Sequence, residues 1–134
     1  MSVVLNSFNQ EQYLGVAIES VLNQKFADYE LIAIDNGSTD ESQAILHRYA
    51  SDPKVRLFLH DTNVPVTRRF NEGVEAARGE FISFLYSDDY YLPAKLERQV
   101  AAFDRLDPEY GVVYSRGYGL NELTGKMWLT PTFG

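Results

Sequence analysis

Three polar segments of the 134-residue sequence combine carboxylates, amides and hydroxyls at spacings that could do chemistry. They are Asn6-Ser7-Phe8-Asn9, Asp35-Asn36-Gly37-Ser38 and Tyr86-Ser87-Asp88-Asp89, and each directly follows a short apolar run. The adjacent carboxylates of Asp88 and Asp89 repel each other, and a hard divalent cation relieves that repulsion. Mg²⁺ or Mn²⁺ takes one or two protein carboxylates and completes its ligand shell with phosphate oxygens. The acidic pair therefore indicates a metal-assisted phosphate site.

The same segments also have structural interpretations. Asp89 could cap a turn before Leu92-Pro93. Ser38 or Thr39 could cap the helix that follows, with Gly37 at a positive φ. Taken alone, the acidic pair leaves both interpretations open, but two further polar segments on the same sheet edge would favour the metal.

Alternating strands and helices must position these segments. Apolar runs predict five strands, at residues 3–5, 29–34, 55–59, 81–85 and 111–114. Helically spaced apolar residues predict four helices, at 11–24, 41–49, 67–77 (closed by Gly79 as its C′ residue) and from Leu92-Pro93 onward. Residues 117–128 contain a turn-rich segment that predicts a hairpin or loop.

This alternation predicts an α/β fold with a mostly parallel sheet and helices on both faces, as in Rossmann-like folds. Ligands of such sheets bind at the carboxyl ends of the strands, where all three polar segments would meet. No linker or repeat interrupts the sequence, so residues 1–134 are interpreted as one domain.

Composition narrows the classes of partner. The net charge of −7 argues against a nucleic acid, which requires clustered Lys and Arg. The absence of cysteine excludes disulfides and Cys-ligated zinc. No apolar run approaches the ~18 residues of a membrane span, and the N-terminus turns polar too early for a signal peptide. A cytoplasmic location is expected, or the cytoplasmic face of the membrane for a longer protein.

The order of the motifs resembles glycosyltransferase family 2. The resemblance rests on residues 3–9, on Ala17-Ile18-Glu19-Ser20-Val21-Leu22-Asn23-Gln24, on residues 29–40, and on residues 71–96 with their Ser87-Asp88-Asp89. The resemblance covers nearly the whole chain, and the motifs taken together are specific to the family, although each alone would be a weak match. The resemblance implies a GT-A fold, a nucleoside-diphosphate sugar donor (a UDP-sugar above all), Mg²⁺ or Mn²⁺, and inverting transfer to a saccharide or other hydroxyl acceptor, as in polysaccharide biosynthesis.

The resemblance also implies roles for individual residues. Ser7 and Phe8 correspond to the loop around the base, and Asp35 and Asn36 to the pair that contacts the nucleoside. Asp88 and Asp89 correspond to the metal and donor-sugar motif, with Asp89 as the expected direct metal ligand and Asp88 also on the donor. Arg68 or Arg69 could serve the diphosphate, although a solvated helix start accounts equally well for both.

Three departures from the family pattern bear on function. Tyr86 and Asn36 stand where the family often has Asp, and Arg69-Phe70-Asn71 replaces Ala-Arg-Asn. No residue after Glu109 resembles the family's catalytic base. The chain is therefore expected to be truncated at its C-terminus, to be inactive alone, and to self-associate through exposed apolar sheet surface.

Two other functions compete with glycosyl transfer. A nucleotidyltransferase would need a Gly- and Arg/Lys-rich loop after the first strand, and residues 6–12 contain none. A non-catalytic nucleotide-sugar-binding module remains the alternative, because Tyr86 and the missing base are compatible with it.

Overall fold

The computed structural model describes residues 1–131 and places a four-stranded parallel sheet at the centre of the first part of the chain. The strands lie in the order β3-β2-β1-β4. Their bounds are β1 Ser2–Ser7, β2 Glu30–Asn36, β3 Val55–His60 and β4 Ile82–Tyr86. The predicted α/β class is thus confirmed, and the last three residues of the predicted 1–134 domain lie outside the described residues.

Helices cover both faces of this sheet. The helices of the described chain are α1 Leu14–Leu22, α2 Ser42–His47, α3 Val66–Ala76 and α4 Lys95–Phe103, and the first three supply this cover. Leu14, Ile18 and Val21 of α1 and Leu46 of α2 pack on the face that carries Val3, Leu5 and Leu31. The opposite face carries Val4, Ile32 and Ile34, which pack with Phe70 of α3. Each such side chain contributes about 1.5–3 kcal/mol when fully buried, so the two layers hold the central strands rigidly.

The chain forms two compact units, residues Met1–Glu97 and a second that begins at Arg98. Within the second unit, β5 (Tyr118–Asn121) and β6 (Lys126–Leu129) form an antiparallel hairpin, which confirms the hairpin predicted there. The strand predicted at residues 111–114 is wrong, because Val112 and Tyr114 are 76% and 71% exposed and pair with no strand of the described chain. No helix among residues 1–131 is long and apolar enough to cross a membrane.

Two predicted helix ends also differ from the structure. The third helix ends at Ala76, with Ala77 as its C-cap, and Gly79 does not serve as its C′ residue. Gly79 instead lies against the backbone of Met1 and Ser2, where an added Cβ would sit 2.6 Å from a carbonyl carbon. The fourth helix begins at Lys95 rather than Pro93, whose carbonyl accepts a hydrogen bond from Lys25 N.

Candidate donor-binding site

The three polar segments lie on one edge of the sheet, as the sequence predicted. β1 is the strand between β2 and β4, and all three run parallel. Ser7 is in register with Asp35, and Asn6 with Tyr86. The polar segments therefore follow three adjacent strands at their carboxyl ends, which is where open α/β sheets bind ligands.

Asp35 is fully buried and holds the loop that follows β2. Its Oδ2 accepts hydrogen bonds from Gly37 N at 3.1 Å, Ser38 N at 2.9 Å and Gln43 Nε2 at 2.8 Å. Gly37 has φ = 80°, which confirms its predicted positive φ. The carboxylate thereby fixes the tight turn from which the second helix starts.

The predicted helix cap at Ser38 or Thr39 is wrong. The N-cap residue of α2 is Glu41, which makes no side-chain cap. The Ser38 hydroxyl donates to Asp35 Oδ1, and Thr39 N donates to Asn9 Oδ1 at 2.8 Å. Both residues are therefore engaged by the first and second polar segments, and they tie those segments to each other.

Both polar atoms of the Asn36 side chain are hydrogen-bonded within the protein. Its Oδ1 accepts from Val64 N at 3.1 Å and Arg69 Nε at 2.8 Å, while its Nδ2 donates to Val64 O at 2.8 Å. Arg69 is 7% exposed and pairs with Glu72 at 3.2 Å, and Glu72 also contacts His60 at 3.0 Å. Because residue 36 is neutral, the charge of Arg69 is balanced by Glu72, one helical turn away.

The sequence did not distinguish Arg69 from Arg68, yet their environments are opposite. Arg69 is buried in this network, whereas Arg68 is exposed on the first turn of α3. That turn lies at the carboxyl edge, because α3 follows β3 and returns to β4. Arg68 is therefore the arginine of this pair that is free to meet an anion, and its diphosphate role stays a prediction.

The end of β1 carries two buried polar atoms without partners. Ser7 Oγ and Asn6 Oδ1 make no hydrogen bond to any other group of the described chain. An unsatisfied buried polar group costs about 1–3 kcal/mol, so a ligand that reached these atoms would recover that cost. Phe8 follows them and is 40% exposed. A flat, partly exposed ring beside unsatisfied polar groups is suited to a nucleoside.

Asp88 and Asp89 lie exposed on the loop after β4. Partial burial, and after it the charge on Asp88, raises the pKa of the Asp89 carboxyl above its ordinary value. Asp89 N donates to Tyr86 O at 3.1 Å, so its backbone closes the turn. No hydrogen bond to either carboxylate comes from another residue in 1–131, which favours the metal interpretation over the turn cap. Groups of three or more His, Cys, Asp or Glu side chains suited to a metal are absent from those residues.

Tyr86 stands at the position where the family that the sequence resembles often has an Asp. It is 50% exposed and meets the Phe70 ring edge-on, with centroids 5.2 Å apart. Phe70 also packs edge-on against Phe84 at 5.0 Å. The position therefore contributes aromatic packing to the α3 face, and Asp88 and Asp89 are the acidic residues that follow it.

Comparisons with known proteins agree with this geometry. The sequence model described as Glycosyl transferase family 2 matches residues 2–133, and the chain belongs to that family. An uncharacterized glycosyltransferase of Haemophilus influenzae is 42% identical over 101 residues, covering 75% of this chain and 40% of the relative. Protein CgeD of Bacillus subtilis is 35% identical over 123 residues, covering 87% and 29%. The chain thus spans well under half the length of these relatives.

Solved structures give the same result for the fold. Residues 1–349 of TarS of S. aureus superpose with a TM-score of 0.72 at 28% identity, over 78% of this chain and 32% of that chain. Its complex with UDP-GlcNAc gives 0.71 at 30% identity, over 78% and 31%. The mannosyltransferase PcManGT of Pyrobaculum calidifontis, in complex with GDP-Man and Mn²⁺, gives 0.68 at 20% identity, over 80% and 32%. The last likeness concerns the fold alone.

Proposed function

We propose that this chain is the donor-binding part of an inverting, metal-dependent glycosyltransferase that uses a UDP-sugar and a hydroxyl acceptor, saccharide or other. The observation that carries the proposal is the acidic pair Asp88–Asp89 on the same sheet edge as the unsatisfied Ser7 Oγ. Family membership supports glycosyl transfer, and the UDP-GlcNAc complex of TarS supports a uridine donor.

Ser7 and Phe8 are assigned to the base, with Phe8 against the ring. Asp35 and Asn36 are assigned to the nucleoside side of the site, where their internal hydrogen bonds hold the surrounding backbone in place. Arg68 is assigned to the diphosphate, because its exposed guanidinium lies on the first turn of α3. A helix N-terminus adds its own preference for anionic groups.

Asp89 is assigned as the direct ligand of Mg²⁺ or Mn²⁺, with Asp88 beside it on the metal and the donor. The raised pKa of the Asp89 carboxyl, caused by burial and then by the charge of Asp88, fits a hard cation, because a bound cation would favour the ionised form against both. A bound cation would neutralise the diphosphate and stabilise it as the leaving group. The chain's own contribution is to hold the carboxylates at the end of a rigid strand.

Calorimetry with nucleoside diphosphates tests the donor assignment. In the presence of Mn²⁺, UDP should bind more tightly than GDP or ADP, with dTDP the next best ligand. The same titration with UDP and a chelator is the control, and it should give weaker binding. Tighter binding of a purine diphosphate would contradict the proposal.

The acceptor side of the reaction is proposed to depend on residues outside this chain. In the described part, Glu122 is exposed in the β5–β6 turn and is no candidate for a buried base. We therefore expect the 134-residue chain to transfer sugar at background rate even when it binds nucleotide, measured as UDP release with and without an acceptor. Robust turnover would show that the base lies within it.

The alternative function is a non-catalytic nucleotide-sugar-binding module, and Tyr86 in place of an Asp is the observation that favours it. Donor hydrolysis by the full-length protein separates the two functions, because a binding module would show none. In either case, the exposed Ile82, Phe84 and Tyr86 of β4 support self-association of this chain through an apolar surface. Cytoplasmic placement remains part of the proposal.

A further inference from the structure

The segment that carries Asp88 and Asp89 is anchored on both sides. Before the pair, Ser87 is buried and Asp89 N closes a turn onto Tyr86 O. After the pair, Tyr90 is 45% exposed but Tyr91 is only 8% exposed. The two carboxylates therefore lie on a short exposed arc between two buried anchors.

Tyr91 braces this arc against β4. Its hydroxyl donates to Phe84 O at 2.7 Å and lies 2.7 Å from Ser83 Oγ. A phenol has one proton, so with Phe84 O as its acceptor the Ser83 hydroxyl must donate to Tyr91 Oη. Lys95 Nζ in turn donates to Ser83 Oγ at 2.9 Å and lies 3.7 Å from the centroid of the Tyr91 ring. A continuous set of hydrogen bonds thus joins the far end of the arc to the strand from which it starts.

Helix α1, through Ser20, and the segment just after it, through Gln24, hold the same residues from the other side. Tyr91 N donates to Ser20 Oγ at 3.0 Å. Gln24 Nε2 donates to Leu92 O at 2.8 Å, and Gln24 Oε1 accepts from Leu96 N at 3.0 Å. Because Gln24 is 9% exposed, these bonds are made out of water, and breaking them leaves buried polar groups unsatisfied.

We propose that Tyr91, together with Ser20 and Gln24, is a positioning residue that holds the Asp88–Asp89 arc in the geometry that binds the metal–diphosphate group. The inference rests on the proposed function. Two like charges on an unrestrained loop would move apart in the absence of a cation, and bringing them together would cost entropy when the cation binds. Residues that orient metal ligands from behind affect metal affinity even though they never touch the metal.

The test is Tyr91→Phe, which removes the hydroxyl and keeps the ring. UDP affinity is measured with saturating Mn²⁺ and again with a chelator. We expect about a tenfold loss of affinity with Mn²⁺, in line with the effect of residues that support metal ligands, and no change with the chelator. Tyr90→Phe makes the same chemical change on the adjacent exposed residue and should alter neither value.

A double-mutant cycle then shows whether Tyr91 acts through Asp89. In an Asp89→Asn background, adding Tyr91→Phe should cause no further loss, because the group that it positions is gone. If Tyr91→Phe does not fold, Ser20→Ala removes the acceptor of Tyr91 N and is measured in the same way.

Three results would overturn the inference: equal weakening with and without Mn²⁺, the same loss in the Asp89→Asn background, or folded variants with unchanged affinity. Wild-type protein that shows no Mn²⁺-dependent UDP binding would instead overturn the proposed function, and the inference with it. The wild-type titration thus separates the two failures.

Discussion

At the amino end of the sheet, the carboxylate of Glu30 is surrounded by donors. It accepts hydrogen bonds from Ser2 Oγ at 2.7 Å, Arg56 Nη1 at 3.0 Å and Arg78 N at 2.7 Å. At the carboxyl end, Asp89 has Asp88 as its charged neighbour and receives no such donor from residues 1–131. Burial opposes ionisation at both ends, but the donors lower the pKa of Glu30, whereas the charge of Asp88 adds to burial in raising that of Asp89.

The two ends of the same strands therefore serve different purposes: the polar groups at the amino end stabilise the fold, and those at the carboxyl end are available to a ligand. The amino end ties Ser2, Arg56 and the backbone after α3 to one partly buried charge, and these polar groups are satisfied by the fold itself. The carboxyl end keeps unsatisfied atoms at Asn6 and Ser7 and a repelling acidic pair. Unfavourable local free energies of this kind persist where the rest of the structure is stable enough to offset them, and they often mark functional sites. A ligand that satisfies these groups would remove the unfavourable contribution.

Asp89→Asn should have the largest effect, and it tests the carboxyl end. The change removes a charge and keeps the side-chain shape. Mn²⁺-dependent UDP affinity should fall about tenfold or more, equivalent to roughly 1.4 kcal/mol. The melting temperature of the metal-free protein should stay the same or rise, because the repulsion with Asp88 is relieved.

Asp28→Asn is the matched control, since it makes the same chemical change on an exposed carboxylate just before β2 and should leave Mn²⁺-dependent UDP affinity unchanged. A lower melting temperature for Asp89→Asn with intact Mn²⁺-dependent binding would mean that Asp89 is a structural turn residue. In that case the two ends of the sheet would not differ as described.

Glu30→Gln tests the amino end and should have the next largest effect. The amide keeps one acceptor oxygen but loses the charge that pairs with Arg56, and it turns an N–H group toward a guanidinium. Unfolding free energy should fall by about 1 kcal/mol, because the pair is only partly exposed. Urea unfolding measures that loss, and calorimetry on the folded protein of the same preparation should show unchanged UDP affinity. A loss of Mn²⁺-dependent binding would show that the two ends are coupled.

The sequence was sufficient to place the carboxyl edge. Four apolar runs separated by helical spacing predict parallel strands, and the parallel direction alone brings residues 6–9, 35–38 and 86–89 to one edge. The strand expected at residues 111–114 failed, because an apolar run forms a strand only where another strand and a covering layer are available. Val112 and Tyr114 have neither within the described chain.

Where two identical residues are adjacent in the chain, the sequence did not predict which of the two side chains is buried. Arg68 and Arg69 are adjacent, as are Tyr90 and Tyr91, and in each pair only the second is buried. The choice depends on partners far along the chain: Asn36 lies 33 residues from Arg69, and Ser20 lies 71 residues from Tyr91. Local patterns set the helix or turn, but tertiary contacts decide which side chain faces inward.

The pH dependence of stability should have opposite signs at the two ends, and this is the smallest effect. Glu30 has a lowered pKa in the folded protein, so its contribution is present above its ordinary pKa and is lost as the pH falls through the folded value. Asp89 has a raised pKa, so its ionisation disfavours the fold: stability is greater below its ordinary pKa and is lost as the pH rises through the raised value.

Urea unfolding between about pH 7 and about pH 3 measures both effects. The loss of unfolding free energy in Glu30→Gln and the gain in Asp89→Asn should both shrink toward low pH, because the wild-type carboxylates are then protonated. The Asp89 difference should shrink further in high salt, since exposed charges are screened. A gain of Asp89→Asn that grows toward low pH would show that Asp89 is stabilised, not strained, in the metal-free fold.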